Sequence, residues 1–231
     1  MDLIIEPLKL EELDRFITIY WDAFEPLSAN MYFPMIYPNG LKQDLITRLR
    51  TRFLHVTNGD LGASCFCAKD ASSGETLGIS WWTLDANAPR TKEEIDAQFT
   101  AAYAVRNQGP DVEGFDAELD YAAFKASFYS EAETVGDQPY MALRLLAISP
   151  THHRRGVGSL LLGRGLEKAD RLGLPVYLAT GVNGRPLYER FGFEYQRDMP
   201  INCLDYGGRS DGRHWCMLRA ARSTTPGASQ I

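Results

Sequence analysis

The chain has 231 residues, of which 45% are hydrophobic and 23% charged, so it can bury the core of one domain. Its net charge of −6 argues against the basic surface by which general nucleic-acid binders neutralise phosphates. No apolar run approaches the roughly 20 residues that span a membrane, and the N-terminus lacks a secretory signal pattern. We expect a cytoplasmic monomer or homodimer with no nucleic-acid or membrane partner.

The first 55 residues predict one strand and two helices. Residues 3–6 form a short apolar strand, and residues 10–24 and 41–55 carry apolar side chains at helical spacing. Residues 31–40, between the two helices, are aromatic and bounded by prolines, and we predict a loop there. The sequence therefore opens with a strand that is followed by two amphipathic helices.

A hairpin and a helical insertion follow. Residues 63–69 and 76–84 are rich in strand formers and flank a small polar turn, which predicts two antiparallel strands. Residues 85–137 then turn helical, with helices at 92–106 and 115–131. The sequence thus places an insertion between the third and fourth strands.

The second half alternates strands and helices. The strongest predicted strand covers residues 138–149, and the helix at 159–172 ends at Gly173, a residue typical of helix C-termini. The remaining elements are a strand at 174–180, a short helix at 187–190, and strands at 193–199 and 214–218. We expect one α/β domain over residues 1–220 with a mixed sheet, and a disordered tail over residues 221–231.

The four cysteines are dispersed along the chain. They have no Cys-x-x-Cys or Cys/His spacing of the kind that builds a zinc site, and are Cys65, Cys67, Cys203 and Cys216. Buried free cysteine is common in folded proteins. We therefore expect reduced, structural thiols and no metal.

A glycine-rich turn joins the strand at 138–149 to the next helix. Gly156 and Gly158 have no side chains, so an anion can approach the main chain, and Arg154 and Arg155 add positive charge beside them. Backbone N–H groups at such a turn converge with the positive end of the helix dipole. The pattern indicates a site for a pyrophosphate.

The turn fits neither common nucleotide motif. A dinucleotide-binding fingerprint requires glycine where Leu161 stands, and a P-loop requires a Gly-Lys-Ser/Thr ending that is absent. Together with the strand end Leu146-Ala147-Ile148-Ser149-Pro150, the turn instead resembles motif A of the GNAT acetyltransferases, in particular the fungal and small-molecule type. The family carries Gln or Arg where His153 stands, which is one departure from the pattern.

A second element supports the same resemblance. Residues 184–193 read Gly-Arg-Pro-Leu-Tyr-Glu-Arg-Phe-Gly-Phe and resemble the motif B signature Leu-Tyr-x-x-x-Gly-Phe of that family. The resemblance implies that Tyr188 donates a proton to the departing thiolate of coenzyme A. A phenol suits this role because its ordinary pKa of about 10 keeps it protonated at neutral pH.

The resemblance also implies a fold and a set of coenzyme contacts. We expect a mixed, mostly antiparallel sheet, splayed at the coenzyme A site, with helices on both faces. The backbone N–H of Ile148 would stabilise the oxyanion, and the strand end and Asn183 would contact the pantetheine arm. The contacting residues of the strand end would be Leu146, Ala147 and Ile148, and the pyrophosphate-binding residues would be Arg154, Arg155, Gly156, Val157, Gly158 and Ser159.

The implied activity is acetyl-CoA-dependent N-acetylation of a small amine or metabolite, without a metal. The alternatives are O-acylation or another acyl-CoA reaction on the same fold, and a non-catalytic acyl-CoA-binding regulatory module. Some related amine acetyltransferases carry a proton-accepting histidine where this chain has Ala142 and Arg144. The resemblance therefore assigns no general base.

Some of these residues also have plainer interpretations. Tyr188 can be a core aromatic and the Gly-x-Gly a tight turn, while His152 and His153 are expected at the loop surface or near a phosphate. Adjacent residues of a strand point to opposite faces, so one of Trp81 and Trp82 is expected in the core, and the other can line an acceptor pocket.

The insertion is strongly acidic. Residues 85–137 hold twelve Asp or Glu and four Lys or Arg. A solvated face on two exposed helices is the simpler interpretation. Steering of a cationic amine is the alternative, and its candidate carboxylates are Glu118, Asp120, Glu131 and Glu133.

Overall fold

The computed structural model describes residues 2–27, 32–86, 91–210 and 212–222, so most of the predicted tail lies outside the described residues. Seven strands form one sheet in the order β1-β2-β3-β4-β5-β7-β6. The strands are β1 (Leu3–Pro7), β2 (Cys65–Asp70), β3 (Thr76–Asp85), β4 (Tyr140–Ile148), β5 (Val176–Thr180), β6 (Glu194–Asp198) and β7 (Trp215–Arg219). Only β4 and β5 pair in parallel among them. The predicted mixed, mostly antiparallel sheet is confirmed.

The helices follow the predicted order. They are α1 (Leu13–Phe24), α2 (Tyr32–Ile36), α3 (Gln43–Val56), α4 (Leu61–Ser64), α5 (Lys92–Arg106), α6 (Ala117–Val135), α7 (Val157–Leu172) and α8 (Arg185–Arg190). None of the helices in the described part of the chain is long and apolar enough to cross a membrane. All four cysteines are buried, and none of them forms a disulfide bond within the described part of the chain.

The predicted loop at residues 31–40 is wrong over five of its residues. Tyr32–Ile36 form the short helix α2, and Tyr32, Phe33 and Ile36 are buried in the core. Pro34 does not prevent the helix because it lies in the first turn, where backbone N–H groups have no partner inside the helix. Burial of the aromatic rings therefore outweighs the tendency of proline to exclude a helix.

The sheet separates two layers of core side chains. On one face Phe16 of α1 joins a cluster with Ala142 and Ala147 of β4. On the other face Leu162 and Leu166 of α7 pack in a cluster with Met141 and Leu143 of the same strand. Met141, Ala142 and Leu143 alternate between the faces because a strand has a two-residue period, and the register shift opposite Trp81 and Trp82 brings Ala147 back to the face of Ala142. Helices therefore cover both faces of the sheet, as predicted.

The insertion is buried more than its charge suggested. Phe99 of α5 and Leu119 of α6 are core residues, and Asp120 and Glu131 are only 1% and 5% exposed. Glu118 is exposed. The interpretation as a solvated face therefore holds for the outer side of the two helices and is wrong for the inner side.

The predicted splay lies between β4 and β5. The two strands pair only where Met141, Ala142 and Leu143 face residues 176–178. Beyond this point β4 stays paired with β3 up to Ile148, and β5 pairs with β7 up to Thr180. The strands diverge and leave the last residues of β4 without a partner on that side.

Gly165 fixes how closely α7 approaches the sheet. A Cβ atom there would lie 2.1 Å from two atoms of the buried Trp82 indole. We predict that Gly165→Ala lowers the free energy of unfolding by about 1–3 kcal/mol, because the ring or the helix must shift. Urea unfolding followed by circular dichroism measures this change.

Gly163 provides the matched control on the same helix. A Cβ there meets no heavy atom within 4 Å. Since alanine is the better helix former, Gly163→Ala should leave the stability equal or raise it by up to about 1 kcal/mol. Equal stabilities for Gly165→Ala and the parent would show that α7 does not rest on Trp82 as described.

Candidate active site

A cavity of about 1060 Å³ passes through the splay of the sheet. One part is lined by residues 143–148 of β4, residues 179–184 after β5, and Tyr188 of α8; we call this part the splay half. The other part is lined by side chains of α1, α2, α3, α5 and α6, and we call it the helix half. The cavity therefore connects the splay of the sheet with the layer of helices.

The end of β4 presents its backbone to the splay. The N–H of Ser149 donates to the carbonyl of Leu77 at 2.9 Å, on the β3 side. Because backbone groups alternate in direction along a strand, the N–H of Ile148 points into the splay. Leu146, Ala147 and Ile148 all line the cavity there.

His153 forms a hydrogen bond with the last residue of this strand. Its Nε2 lies 3.0 Å from the carbonyl oxygen of Ile148, and since a carbonyl can only accept, the ring nitrogen is the donor. The side chain is exposed, as predicted, and lines the cavity. This hydrogen bond ties the loop before α7 to the end of β4.

The turn before α7 is shaped for an anion. Arg154 and Gly156 both have positive φ angles, of 64° and 84°, and no side chain caps the helix that begins at Val157. Consecutive N–H groups in such a turn form a concave site for an anion, next to the positive end of the helix dipole. Arg154 and Arg155 are exposed beside it.

The six predicted loop residues lie together at this helix start, but they differ in exposure. Val157 is buried in a cluster with Leu161, so only its backbone can contact a ligand. Gly158 lines the cavity, and a Cβ there would lie 3.5 Å from Leu187. Gly158 therefore connects the turn with the splay half.

Tyr188 lies in the wall of the splay half. Its ring is 8% exposed and contacts Phe193 edge to face, with centroids 5.8 Å apart. A Cβ on Gly184 would come within 2.9 Å of the Tyr188 ring, so this glycine allows the close packing. Burial raises the pKa of Tyr188 above its ordinary 10, and the phenol stays protonated at neutral pH.

His214 is a site residue that the sequence did not reveal. Its Nδ1 lies 2.5 Å from the carbonyl oxygen of Gly212, so Nδ1 carries the proton and Nε2 has a free lone pair. Burial lowers the pKa of His214, which keeps the ring neutral at pH 7. The ring lines the cavity and packs 4.7 Å from Tyr32.

Tyr188 and His214 flank one turn. A Cβ on Gly181 would lie 3.9 Å from Nε2 of His214, and a Cβ on Gly184 would meet the Tyr188 ring. The turn after β5 thus brings an acid and a neutral imidazole to the same end of the cavity. His214 precedes the last strand without a motif, so the sequence held no signal for it.

Neither position that aligns with a histidine of related enzymes can accept a proton here. Ala142 is fully buried. Arg144 is ion-paired to Glu131 through Nη1 and to Asp85 through Nη2, the latter at 3.2 Å. Tyr140 donates to Glu131 at 2.6 Å and completes this network. Burial raises the pKa of Asp85, while Arg144 opposes the shift.

The two tryptophans divide as predicted. Trp82 is in the core under α7, whereas Trp81 lines the cavity and packs against Phe53 with ring centroids 5.3 Å apart. The Nε1 of Trp81 is buried and has no hydrogen-bond partner within the described ranges. The Trp81 ring therefore contributes apolar surface to the wall of the cavity, while its Nε1 is turned into the protein.

Residues 80–193 match the model of the Acetyltransferase (GNAT) family. Solved structures of low sequence identity share the fold. Arylalkylamine N-acetyltransferase 2 from Aedes aegypti is 14% identical, with 95% of this chain and 99% of that chain covered and a TM-score of 0.65. Mosquito arylalkylamine N-acetyltransferase like 5b is 16% identical, with 94% of this chain and 99% of that chain covered and a TM-score of 0.64. Drosophila melanogaster polyamine N-acetyltransferase is 14% identical, with 95% of this chain and 100% of that chain covered and a TM-score of 0.61.

The family match spans both motifs, from β3 through α8, and includes the splay, the turn before α7 and Tyr188. The fold match extends over nearly the whole chain. Residues 80–193 therefore match the GNAT acetyltransferase family, and the chain has the fold of solved GNAT structures.

Proposed function

We propose that the protein transfers an acetyl group from acetyl-CoA to the nitrogen of a small amine. The observation that carries this proposal is that Tyr188 and His214 line the same cavity, into which the N–H of Ile148 points. An acid, a neutral base and an oxyanion donor are the three groups that direct aminolysis of a thioester uses. The proposal is supported by proteins that share the fold, since two of them are named for amine acceptors: an arylalkylamine N-acetyltransferase and a polyamine N-acetyltransferase.

In this proposal acetyl-CoA occupies the splay half. Leu146, Ala147 and Ile148 bind the pantetheine arm through their backbone, and Asn183 contacts it from the turn after β5. The pyrophosphate binds the N–H groups before α7, with Arg154 and Arg155 beside it. Unpaired strand groups and an uncapped helix start both favour such a ligand.

The proposed reaction begins when the neutral amine attacks the thioester carbonyl carbon. A C–N bond forms, the carbonyl oxygen becomes an oxyanion held by the N–H of Ile148, and Nε2 of His214 takes the amine proton. The C–S bond then breaks, and Tyr188 donates its proton to the departing sulfur. Solvent afterwards restores the protons of both side chains. Burial keeps Tyr188 protonated and His214 neutral, which are the forms that these reaction steps require.

Thiol release with matched acceptors tests the function. With phenethylamine and 2-phenylethanol as one such pair, we expect acetyl-CoA cleavage and an N-acetyl product with the amine, and no acetylation of the alcohol. Faster acetylation of alcohols would support the O-acyl alternative. Binding of acetyl-CoA without transfer to any member of an amine panel would support the non-catalytic module, and either result overturns the proposal.

A further inference from the structure

Among the described residues, the arginines of the helix half differ in whether a carboxylate pairs with them. Arg106 is held by Asp120, with its Nε 2.9 Å from Oδ1, and Arg144 is held by Glu131 and Asp85. Arg52 of α3 also lines the cavity. Within the described part of the chain no carboxylate lies within 4.0 Å of its guanidinium, and no hydrogen bond of that group is formed.

Arg52 is charged in spite of its surroundings. Burial, and then the neighbouring charge of Arg106, lower its pKa to about 10, so the guanidinium still carries its proton at pH 7. The residue is only partly buried, and no atom of its guanidinium is among the buried unpartnered atoms of the described residues, so water can reach it in the cavity. A carboxylate that enters the cavity can replace this water with charge-assisted hydrogen bonds.

The walls around this cation are largely aromatic. Tyr20 and Phe33 are stacked, with ring centroids 4.3 Å apart, and Phe124 lines the cavity from α6. A cationic donor in an apolar chamber suits a group that only accepts hydrogen bonds.

The remaining acidic groups give no competing site for a cation. Asp85 and Glu131 are the carboxylates that line the cavity among the described residues, and both bind Arg144. Glu133 is exposed and ion-paired to Arg197. The acidity of the insertion is therefore neutralised or turned outward, and it does not favour a polycationic acceptor.

We propose that the acceptor is an amine that also carries a carboxylate on an apolar, aromatic body, and that Arg52 binds this carboxylate. The inference rests on the proposed function and narrows its substrate class to hydrophobic amino acids. One guanidinium matches one carboxylate through two parallel hydrogen bonds. The amine of the same molecule then points toward the splay half, where the thioester lies.

Matched acceptors that differ only in the carboxylate test this directly. The pairs are phenylalanine with phenethylamine and tryptophan with tryptamine, compared by kcat/KM. We expect the parent to prefer the amino acid of each pair. Arg52→Gln should lower kcat/KM for the amino acid roughly 10- to 100-fold, the value of a hydrogen bond to a charged group, and leave the plain amine unchanged or improved.

Two further variants separate a binding role from a structural one. Arg52→Lys keeps the charge and should retain part of the preference for the amino acid. Arg50→Gln changes an arginine on the same helix that pairs with Asp14 at 2.6 Å outside the cavity, and should leave both kcat/KM values unchanged. Thermal melts of all variants report whether the fold is kept.

Failure of this inference differs from failure of the proposed function. Equal or better use of the plain amines, with no selective loss in Arg52→Gln, overturns the carboxylate site while the acetyltransferase stands. If no amine is acetylated, calorimetry with N-acetylphenylalanine still decides: binding that Arg52→Gln abolishes supports the site, and no binding to the parent overturns it.

Discussion

Tyr188→Phe is expected to lower kcat by about 10²–10⁴-fold, the usual contribution of a positioned proton donor. The departing thiolate then leaves without a proton from the wall of the cavity. Affinity for acetyl-CoA should stay nearly unchanged, because phenylalanine keeps the ring contact with Phe193. Steady-state kinetics combined with calorimetry separates the two effects.

Tyr195→Phe is the matched control for this loss. Tyr195 lies on β6, is 46% exposed and does not line the cavity. Removing its hydroxyl should leave kcat unchanged. Equal kcat values for Tyr188→Phe and the parent would remove Tyr188 from the mechanism and favour its interpretation as a core aromatic.

His214→Gln is expected to lower kcat by a similar factor of about 10²–10⁴, since the amide cannot accept the amine proton. The pH dependence identifies the cause. Burial lowers the pKa of His214 below its ordinary 6.5, so the parent should keep its kcat from neutral pH down to 6.5 and lose it at lower pH. The residual activity of the variant should lack this acidic fall.

The lowered pKa of His214 also determines how the stability of the folded protein changes with pH. The unfolded chain binds a proton at His214 near pH 6.5, whereas the folded chain resists it, so the stability that this group contributes is present above that pH and declines below it. The kinetics must therefore be measured at pH values where circular dichroism shows that the protein is folded.

His152→Gln is the control, because His152 does not line the cavity. This variant should keep the fall of kcat at acidic pH. If the fall disappears in His152→Gln as well, the role of His214 is contradicted.

The sequence predicted those parts of the protein whose signals are local. The helix at 92–106 has the bounds of α5, because its capping residue Thr91 and its end at Asn107 lie within the pattern itself. Gly156 indicated the turn before α7 for the same reason, since its positive φ angle is a local requirement of that turn. The predicted splay of β4 came from the family resemblance.

Residues whose role depends on distant contacts were missed. His214 becomes a candidate base only because Gly212 orients it and Tyr32 covers it from 182 positions earlier in the chain. Arg52 differs from Arg106 and Arg144 only in having no carboxylate within 4.0 Å among the described residues. The burial of Asp120 and Glu131 has no local signal, because their partners Arg106 and Arg144 lie in other elements of the fold.

Calorimetry with acetyl-CoA and S-acetylpantetheine tests the central claim most directly, because the second ligand keeps the thioester and lacks the phosphates. The account predicts that the parent binds acetyl-CoA at one site per chain, and that S-acetylpantetheine binds much more weakly because it leaves the turn before α7 empty. No binding of acetyl-CoA at millimolar concentration, or equal affinity for the two ligands, would contradict it.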